Sequence, residues 1–241
     1  MGYVDIHCHL LWGLDDGCRT AEESLAAART LVALGYSEVA PSPHTRAEFA
    51  GVDAALCRAR LVELEALLRS EGVELRLHAG AENFFDDAFM DRASRGEARG
   101  LGERGSNVLV ELPFHGRVPA LADLVFRLKV KGLTPVFAHP ERCAEFEQVG
   151  RAEEVVRLGG ALQLDLGALV GRYGRTARKV AERMLGAELY AIAATDLHGA
   201  AGAQDWIGEA MRALEKKVGA SGVERLCAAN PRRAIAGEEL A

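Results

Sequence analysis

The chain has 241 residues, 49% of them apolar and 27% charged, which is enough for one large α/β domain with a full core or for two small ones. A net charge of −6 argues against a nucleic-acid groove as the main surface, since phosphate-backbone binding shows as a basic excess. There is no membrane-length apolar run and no charged-then-apolar leader, and the five irregularly spaced cysteines form no C-x-x-C pair. These features lead to the expectation of a cytoplasmic protein with reduced thiols.

Tyr3 to Gly17 reads Y-V-D-I-H-C-H-L-L-W-G-L-D-D-G. Alternating apolar residues predict a strand, on which His7 and His9 share one face and Cys8 takes the other. A glycine-punctuated turn then carries Asp15 and Asp16. Thr20-Ala-Glu-Glu23 has the form of a capping box before a helical run from Leu25 to Leu34, closed by Gly35. Ser37 to Pro41 is a short second strand that delivers His44 into a loop. Asp53 to Ser70 is helical and ends at Gly72. Val73 to Ala81 is a third strand ending at Glu82, followed by a helix around Phe85 to Ala93 and a glycine-rich loop to Ser106. Asn107 to Leu112 is a fourth strand with Glu111 near its end, and Val118 to Lys131 a helix broken by Gly132. Thr134 to Ala138 is a fifth strand running into His139-Pro140-Glu141-Arg142. A helix near Ala152 to Leu158 precedes a sixth strand, Ala161 to Leu166. Thr176 to Leu185 is helical, Glu188 to Ala194 is a seventh strand ending in Thr195-Asp196-Leu197-His198, and helices near Trp206 to Val218 and Val223 to Ala228 follow.

Strands alternating with helices imply a parallel sheet with crossover helices. Seven such units with no Pro/Gly/Ser-rich linker favour one closed or nearly closed β/α barrel over residues 1–241, with an open doubly wound sheet as the alternative. In a barrel, His7, His9, Asp16, His44, Glu82, Glu111, His139, Asp196 and His198 would all gather at the C-terminal strand ends, on the face where active sites are built. Each alone has a dull explanation, such as a capping Asp or a core His. Together they form a mixed imidazole and carboxylate set suited to Mn, Fe or Zn, too large for one ion, with Glu82 the candidate bridge. Several ions can position a phosphate, polarise it and generate hydroxide at neutral pH. Arg142 would offer a planar fork for phosphate oxygens, unless it is a surface arginine. Cys227 to Arg233 has the C-x5-R spacing of cysteine phosphatases, but Pro231 removes a cradle amide and no strand precedes it, so the spacing is read as chance. Cys8 is read as a packing residue, and Trp12, Phe84 and Phe85 as core or rim.

D-I-H-C-H…D-D-G, S-P-H, G-A-E, V-E-L-P, A-H-P-E-R and T-D-L-H together resemble the PHP (polymerase and histidinol phosphatase) superfamily. The closer resemblance is to bacterial manganese-dependent protein-tyrosine phosphatases associated with capsule and exopolysaccharide genes. It implies a distorted (β/α)7 barrel with up to three ions. His7, His9, Glu82 and Asp196 would hold one, Glu82, Glu111 and His139 the second, and Asp16, His44 and His198 the third. His139, His44 and Arg142 would carry catalysis, and Arg142 would bind phosphate. The implied reaction is attack of metal-bound hydroxide on phosphotyrosine, on the tail of a polysaccharide-assembly tyrosine kinase. Histidinol phosphate or another small phosphomonoester is a second reading, and a non-catalytic module binding a kinase tail a third. The family's second arginine after the last histidine is replaced here, where His198 is followed by Gly-Ala-Ala-Gly-Ala-Gln with Ala203 near that position. Arg46, Arg172 and Arg175 are the candidate substitutes, with Arg46 named as a substrate-binding residue.

Overall fold

The computed structural model describes residues 2–240. Nine strands form two sheets in which every pairing is parallel. One sheet has the order β1-β2-β4, from Tyr3–Asp5, Tyr36–Val39 and Arg76–Leu77. The other has the order β3-β5-β6-β7-β8-β9. Its strands are His44–Thr45, Glu82–Phe84, Asn107–Glu111, Thr134–Ala138, Ala161–Asp165 and Ile192–Ala194.

The predicted second and third strands are each broken in two. Between β2 and β3 lie Pro41 and Pro43, which have no amide to give to a ladder. Between β4 and β5 lies Gly80, where an added Cβ would stand 2.7 Å from the Pro41 carbonyl oxygen. The two breaks therefore press backbone to backbone, and only glycine permits that approach. The expected strand from Val73 to Ala81 is thus the two-residue β4, and Glu82 opens β5 rather than ending a strand. His44, expected in a loop, opens β3. Counting each broken pair as one strand leaves seven. The sheets meet between β9 and β1 through one parallel bridge, Cys8 to Leu197. Beside it, the Asp196 amide donates to the His7 carbonyl at 2.8 Å and the His9 amide to the Leu197 carbonyl at 2.8 Å. The seam is a bridge, not a ladder.

Helices cover the outside. Helix α1 (Ala21–Ala33) begins as expected, with the Thr20 hydroxyl accepting from the Glu23 amide at 3.3 Å, and Asp53 caps α2 (Ala54–Ser70) in the same way. Then come α3 (Asp87–Ser94), α4 (Leu121–Val130), α5 (Arg151–Arg157), the single turn α6 (Leu166–Leu169) and α7 (Gly174–Gly186). Val108 and Val110 of β6 and Leu162 and Leu164 of β8 pack outward with α4 and its neighbours. A smaller cluster of Val4, Ile6, Leu109, Val136, Ile192 and Ala194 is built mostly from strands, so it fills the inside.

Two expectations at the C-terminal end need correction. The seventh strand starts at Ile192, because Glu188 adopts a positive φ of 56° in the turn that ends α7. The break expected between the last two helices is at Gly219, whose φ of 69° kinks α8 (Ala203–Glu224), and what was not expected is the π turn over Arg225–Ala229 and a further helix, α9 (Asn230–Ala236). Ala234 and Ile235 of α9 close one end of the inner cluster.

Candidate metal centre

The sequence Y-V-D-I-H-C-H puts His7 and His9 just past β1, both buried. Each ring is fixed by its Nδ1. In His7 this atom lies 2.8 Å from Gln163 Oε1, in β8. In His9 it lies 2.7 Å from Asp15 Oδ2, and Asp15 itself accepts from the amides of Gly17 and His44, both at 3.0 Å. A hydrogen bond at Nδ1 leaves Nε2 free to bind on the other side.

Those Nε2 atoms converge on carboxylates. His7 Nε2 is 3.3 Å from Glu82 Oε1 and 3.1 Å from Asp196 Oδ1, and His9 Nε2 is 3.3 Å from Asp196 Oδ1. His44 presents Nδ1 at 2.8 Å to Glu82 Oε2 and Nε2 at 3.3 Å to Asp16 Oδ1. His139 Nε2 is 3.0 Å from Glu82 Oε1 and 4.0 Å from Glu111 Oε1. His198 Nε2 is 3.5 Å from Asp16 Oδ1. All nine predicted ligands are therefore brought together. Glu82 stands within ion-pair distance of four imidazoles, those of His7, His9, His44 and His139.

Atoms close enough to share an ion fall into four groups: His7 with His9 and Asp196; His7 with Glu82 and His139; His44 with Glu82 and Glu111; and His9 with Asp16, His44 and His198. Glu82 joins the second and third groups. Glu111 stands between two of the histidines, with Oε2 3.9 Å from His44 Nδ1 and Oε1 4.0 Å from His139 Nε2.

The electrostatics suit cations. Burial works against charge on Glu82, yet His7, His139 and His44 hold its carboxyl well below the usual range. Asp196, equally buried, is held down by His7 and His9. Burial opposes the His9 imidazolium, but Asp15 and Asp196 raise its pKa to about 10; Asp16 and Glu82 do the same for His44, to about 9. Glu111 is pushed up to about 7 by burial and by the Glu82 charge. His7 Nε2, His9 Nε2, His44 Nδ1 and Glu82 Oε2 are all buried and crowd one another at ion-pair distance without a well-aligned hydrogen bond. Buried polar atoms need partners, and imidazole nitrogens interleaved with carboxylate oxygens fit divalent ions of the Mn, Fe or Zn kind. Backbone strain sits here too. His139 and Asp196 are two of the three described non-glycine residues with positive φ, at 31° and 51°.

Arg142 is at the edge of the cluster. Its Nη1 donates to Asp196 Oδ2 at 2.7 Å and approaches Asp165 Oδ2 at 3.5 Å. The guanidinium lies between the rings of Phe114 and Tyr173, 4.6 and 4.2 Å from their centroids. On the opposite side, Arg46 Nη1 donates to Glu111 Oε2 at 3.2 Å. Arg172 instead lies over the Trp206 ring, and Arg175 is exposed without an ion pair among the described residues. Ala203 is fully buried at the start of α8, so that position has no room for a guanidinium.

Sequence reasoning missed Gln163, Asp165, Phe49 and Phe114, and gave Asp15 no role. Gln163 and Asp165 are two apart on a strand that is otherwise apolar, a legible sign of a polar inner face. Phe49 stacks on His44 with centroids 5.5 Å apart, and Phe114 lies 5.4 Å from His139. These are the rim aromatics. Trp12, by contrast, packs into the core around α1 and carries Arg60 on its ring, and Phe85 packs against the outer core. Cys8 and Cys227 are fully buried, and burial pushes both thiols up, which removes them as nucleophiles.

Comparison with known proteins adds the family. The family model described as “Capsular polysaccharide synthesis, CpsB/CapC” matches residues 3–236. Tyrosine-protein phosphatase YwqE of Bacillus subtilis is 31% identical over 219 residues, which cover 90% of this chain and 85% of that protein. Tyrosine-protein phosphatase CpsB of Streptococcus pneumoniae is 23% identical over 238 residues, 96% of this chain and 98% of that protein. A solved structure from a study of YwqE and CpsB, described as unique metal-dependent tyrosine phosphatases, matches with a TM-score of 0.87 at 27% identity, covering 98% of this chain and 95% of that one. The histidinol phosphate phosphatase of Lactococcus lactis matches with a TM-score of 0.61 at 15% identity, over 90% and 94% of the two chains, a likeness of fold alone.

Proposed function

This chain belongs to the capsular polysaccharide synthesis family CpsB/CapC, and from that membership we propose that it is a metal-dependent protein-tyrosine phosphatase. The observation that carries the reading is the convergence of buried imidazole nitrogens on shared carboxylates at one end of the strands. His7, His9, Asp16, His44, Glu82, Glu111, His139, Asp196 and His198 would hold the ions, Mn²⁺ in the first instance with Fe or Zn as alternatives. Bound ions would polarise a phosphate ester and supply hydroxide at neutral pH.

The chain's own side chains do the rest. Arg142, clamped between Phe114 and Tyr173 and anchored by Asp196, can turn its remaining N–H groups to phosphate oxygens. Arg46 is the cation on the far side and takes the part of the arginine absent at Ala203. Phe49 and Phe114 offer apolar walls to the aromatic ring of the substrate. His44 and His139, two of the residues that would hold the ions, lie against those walls, so a phosphate carried by a ring seated there would meet the ions at these two residues. We place the enzyme in the cytoplasm as a single domain acting on the tail of a polysaccharide-assembly tyrosine kinase. No described helix is long and apolar enough to cross a membrane.

The test is phosphate release from a phosphotyrosine peptide beside histidinol phosphate, with Mn²⁺ and with His139→Ala as control. Faster release from the peptide, lost in the variant, is expected. Preference for histidinol phosphate would move the chemistry to small-molecule metabolism, and no release from either would leave a binding module.

A further inference from the structure

A cavity of about 500 Å³ lies against the Arg46 side of the cluster. Its charged lining is Arg46, Arg92, Arg99, Asp53, Asp86 and Glu97. The formal charges cancel, but each acid has a partner besides these arginines. Asp53 accepts from the Leu56 amide at 2.8 Å and Asp86 from the Phe89 amide at 2.7 Å, capping α2 and α3. Glu97 pairs with Arg95 at 3.0 Å. The arginines are less well matched. Arg92 Nη2 is buried with no hydrogen-bond partner, and Arg46 Nε reaches only Glu48, at 3.6 Å. Arg99 donates to Cys57 Sγ at 3.0 Å and the Val52 carbonyl at 3.1 Å, both neutral. Neither Arg92 nor Arg99 enters an ion pair among the described residues. Burial, with Arg99 and Arg95 close by, pulls the Arg92 guanidinium below its ordinary value against the opposing pull of Asp86. Such a group gains from an incoming anion.

The cavity and the cluster share a wall. Arg46 touches Glu111 on one side and lines the cavity on the other, and Phe49 does so while stacked on His44. A peptide with its phosphate at the cluster would bring a neighbouring residue to this opening. We propose that the cavity is a subsite for an anionic side chain, carboxylate or phosphate, flanking the phosphotyrosine of the substrate. The inference rests on the phosphotyrosine reading above. Guanidinium forks suit both anions.

The test is fluorescence anisotropy on the manganese-loaded full chain. The probes are peptides carrying a non-hydrolysable phosphonate analogue of phosphotyrosine, flanked on both sides by glutamate, by further copies of the same phosphonate (standing for phosphate) or by lysine. Wild type should bind either anionic peptide about tenfold tighter than the lysine peptide, and Arg92→Gln should cut that preference to about threefold or less. Comparing the two anionic peptides tells carboxylate from phosphate as the preferred flank. Equal affinity for all three peptides, or a preference unchanged in folded Arg92→Gln, would overturn the proposal. Arg92→Lys keeps the charge without the fork and serves if Arg92→Gln does not fold; an intermediate preference is expected and an unchanged one contradicts. Turnover of an ordinary phosphotyrosine peptide by the same wild-type preparation is read separately. Its absence would sink the phosphatase reading, whereas the flank preference needs no turnover.

Discussion

Arg142 and Gln163 contribute in different ways, and kinetics separates them. On the proposed reading Arg142 contacts the phosphate, so Arg142→Ala should lower kcat/KM by about 10²–10³ while bound metal stays the same; unchanged kinetics would remove it from the site. Gln163 only orients His7, so Gln163→Leu should weaken metal affinity by about 10–100-fold, read by chelator competition, with activity restored at high metal. Protons compete with metal at His9 and His44, whose pKa values of about 10 and about 9 lie above the unfolded value of about 6.5. The stability these imidazolium groups give the metal-free protein is complete below about pH 6.5 and is lost as pH rises through 9 to 10. Metal affinity should therefore rise from pH 6 to pH 9, with proton release visible as buffer-dependent binding heat. A flat affinity would contradict the assignment of these two residues. Gln163 escaped the sequence reading because its bond to His7 depends on which strand lies alongside, and Asp15 because the path of the turn that brings it back to His9 is not written in the sequence.

The broken strands position Glu82 and His44, the two residues at the heart of the cluster. His44 and Glu82 are register partners at the first rung of the β3–β5 ladder, just beyond the Pro43 and Gly80 breaks. Gly80→Ala would drive a Cβ toward the Pro41 carbonyl, costing about 1–3 kcal/mol and displacing Glu82. Urea unfolding and metal affinity should both suffer. Thr20→Ala removes only the α1 cap, about 1 kcal/mol, and should leave metal affinity unchanged. Equal effects of the two changes on metal binding would refute the positioning role. The buried strands Asn107–Glu111, Thr134–Ala138 and Ala161–Asp165 were legible because each carries one apolar face, Val108 with Val110, Pro135 with Phe137 and Leu162 with Leu164. The breaks were not: Pro41 reads as the end of a strand and Gly80 as part of one, and neither says that pairing stops there and resumes beyond. Helix α9 was hidden for a related reason: Asn230-Pro231 reads as a stop, but here the proline stands in the first turn of a new helix.

At the scale of the whole molecule, residues from position 7 to position 198 meet only when the first strand closes against the last. The Cys8–Leu197 bridge makes that closure, with His7, His9, Asp196 and His198 beside it. Parallel alternation and strand-end chemistry made the arrangement legible in outline, and the single-bridge seam was not legible at all. Ions bound to such a site link the two sheets, so folding stability and catalysis should depend on the same metal. Protein stripped by chelator and titrated with Mn²⁺ decides this, with bound metal, melting temperature and phosphate release from a phosphotyrosine peptide followed together. Activity and melting temperature should rise together as more than one equivalent binds per chain, and Glu82→Gln should block both. Full phosphate release by the stripped protein, or by Glu82→Gln, would contradict the account.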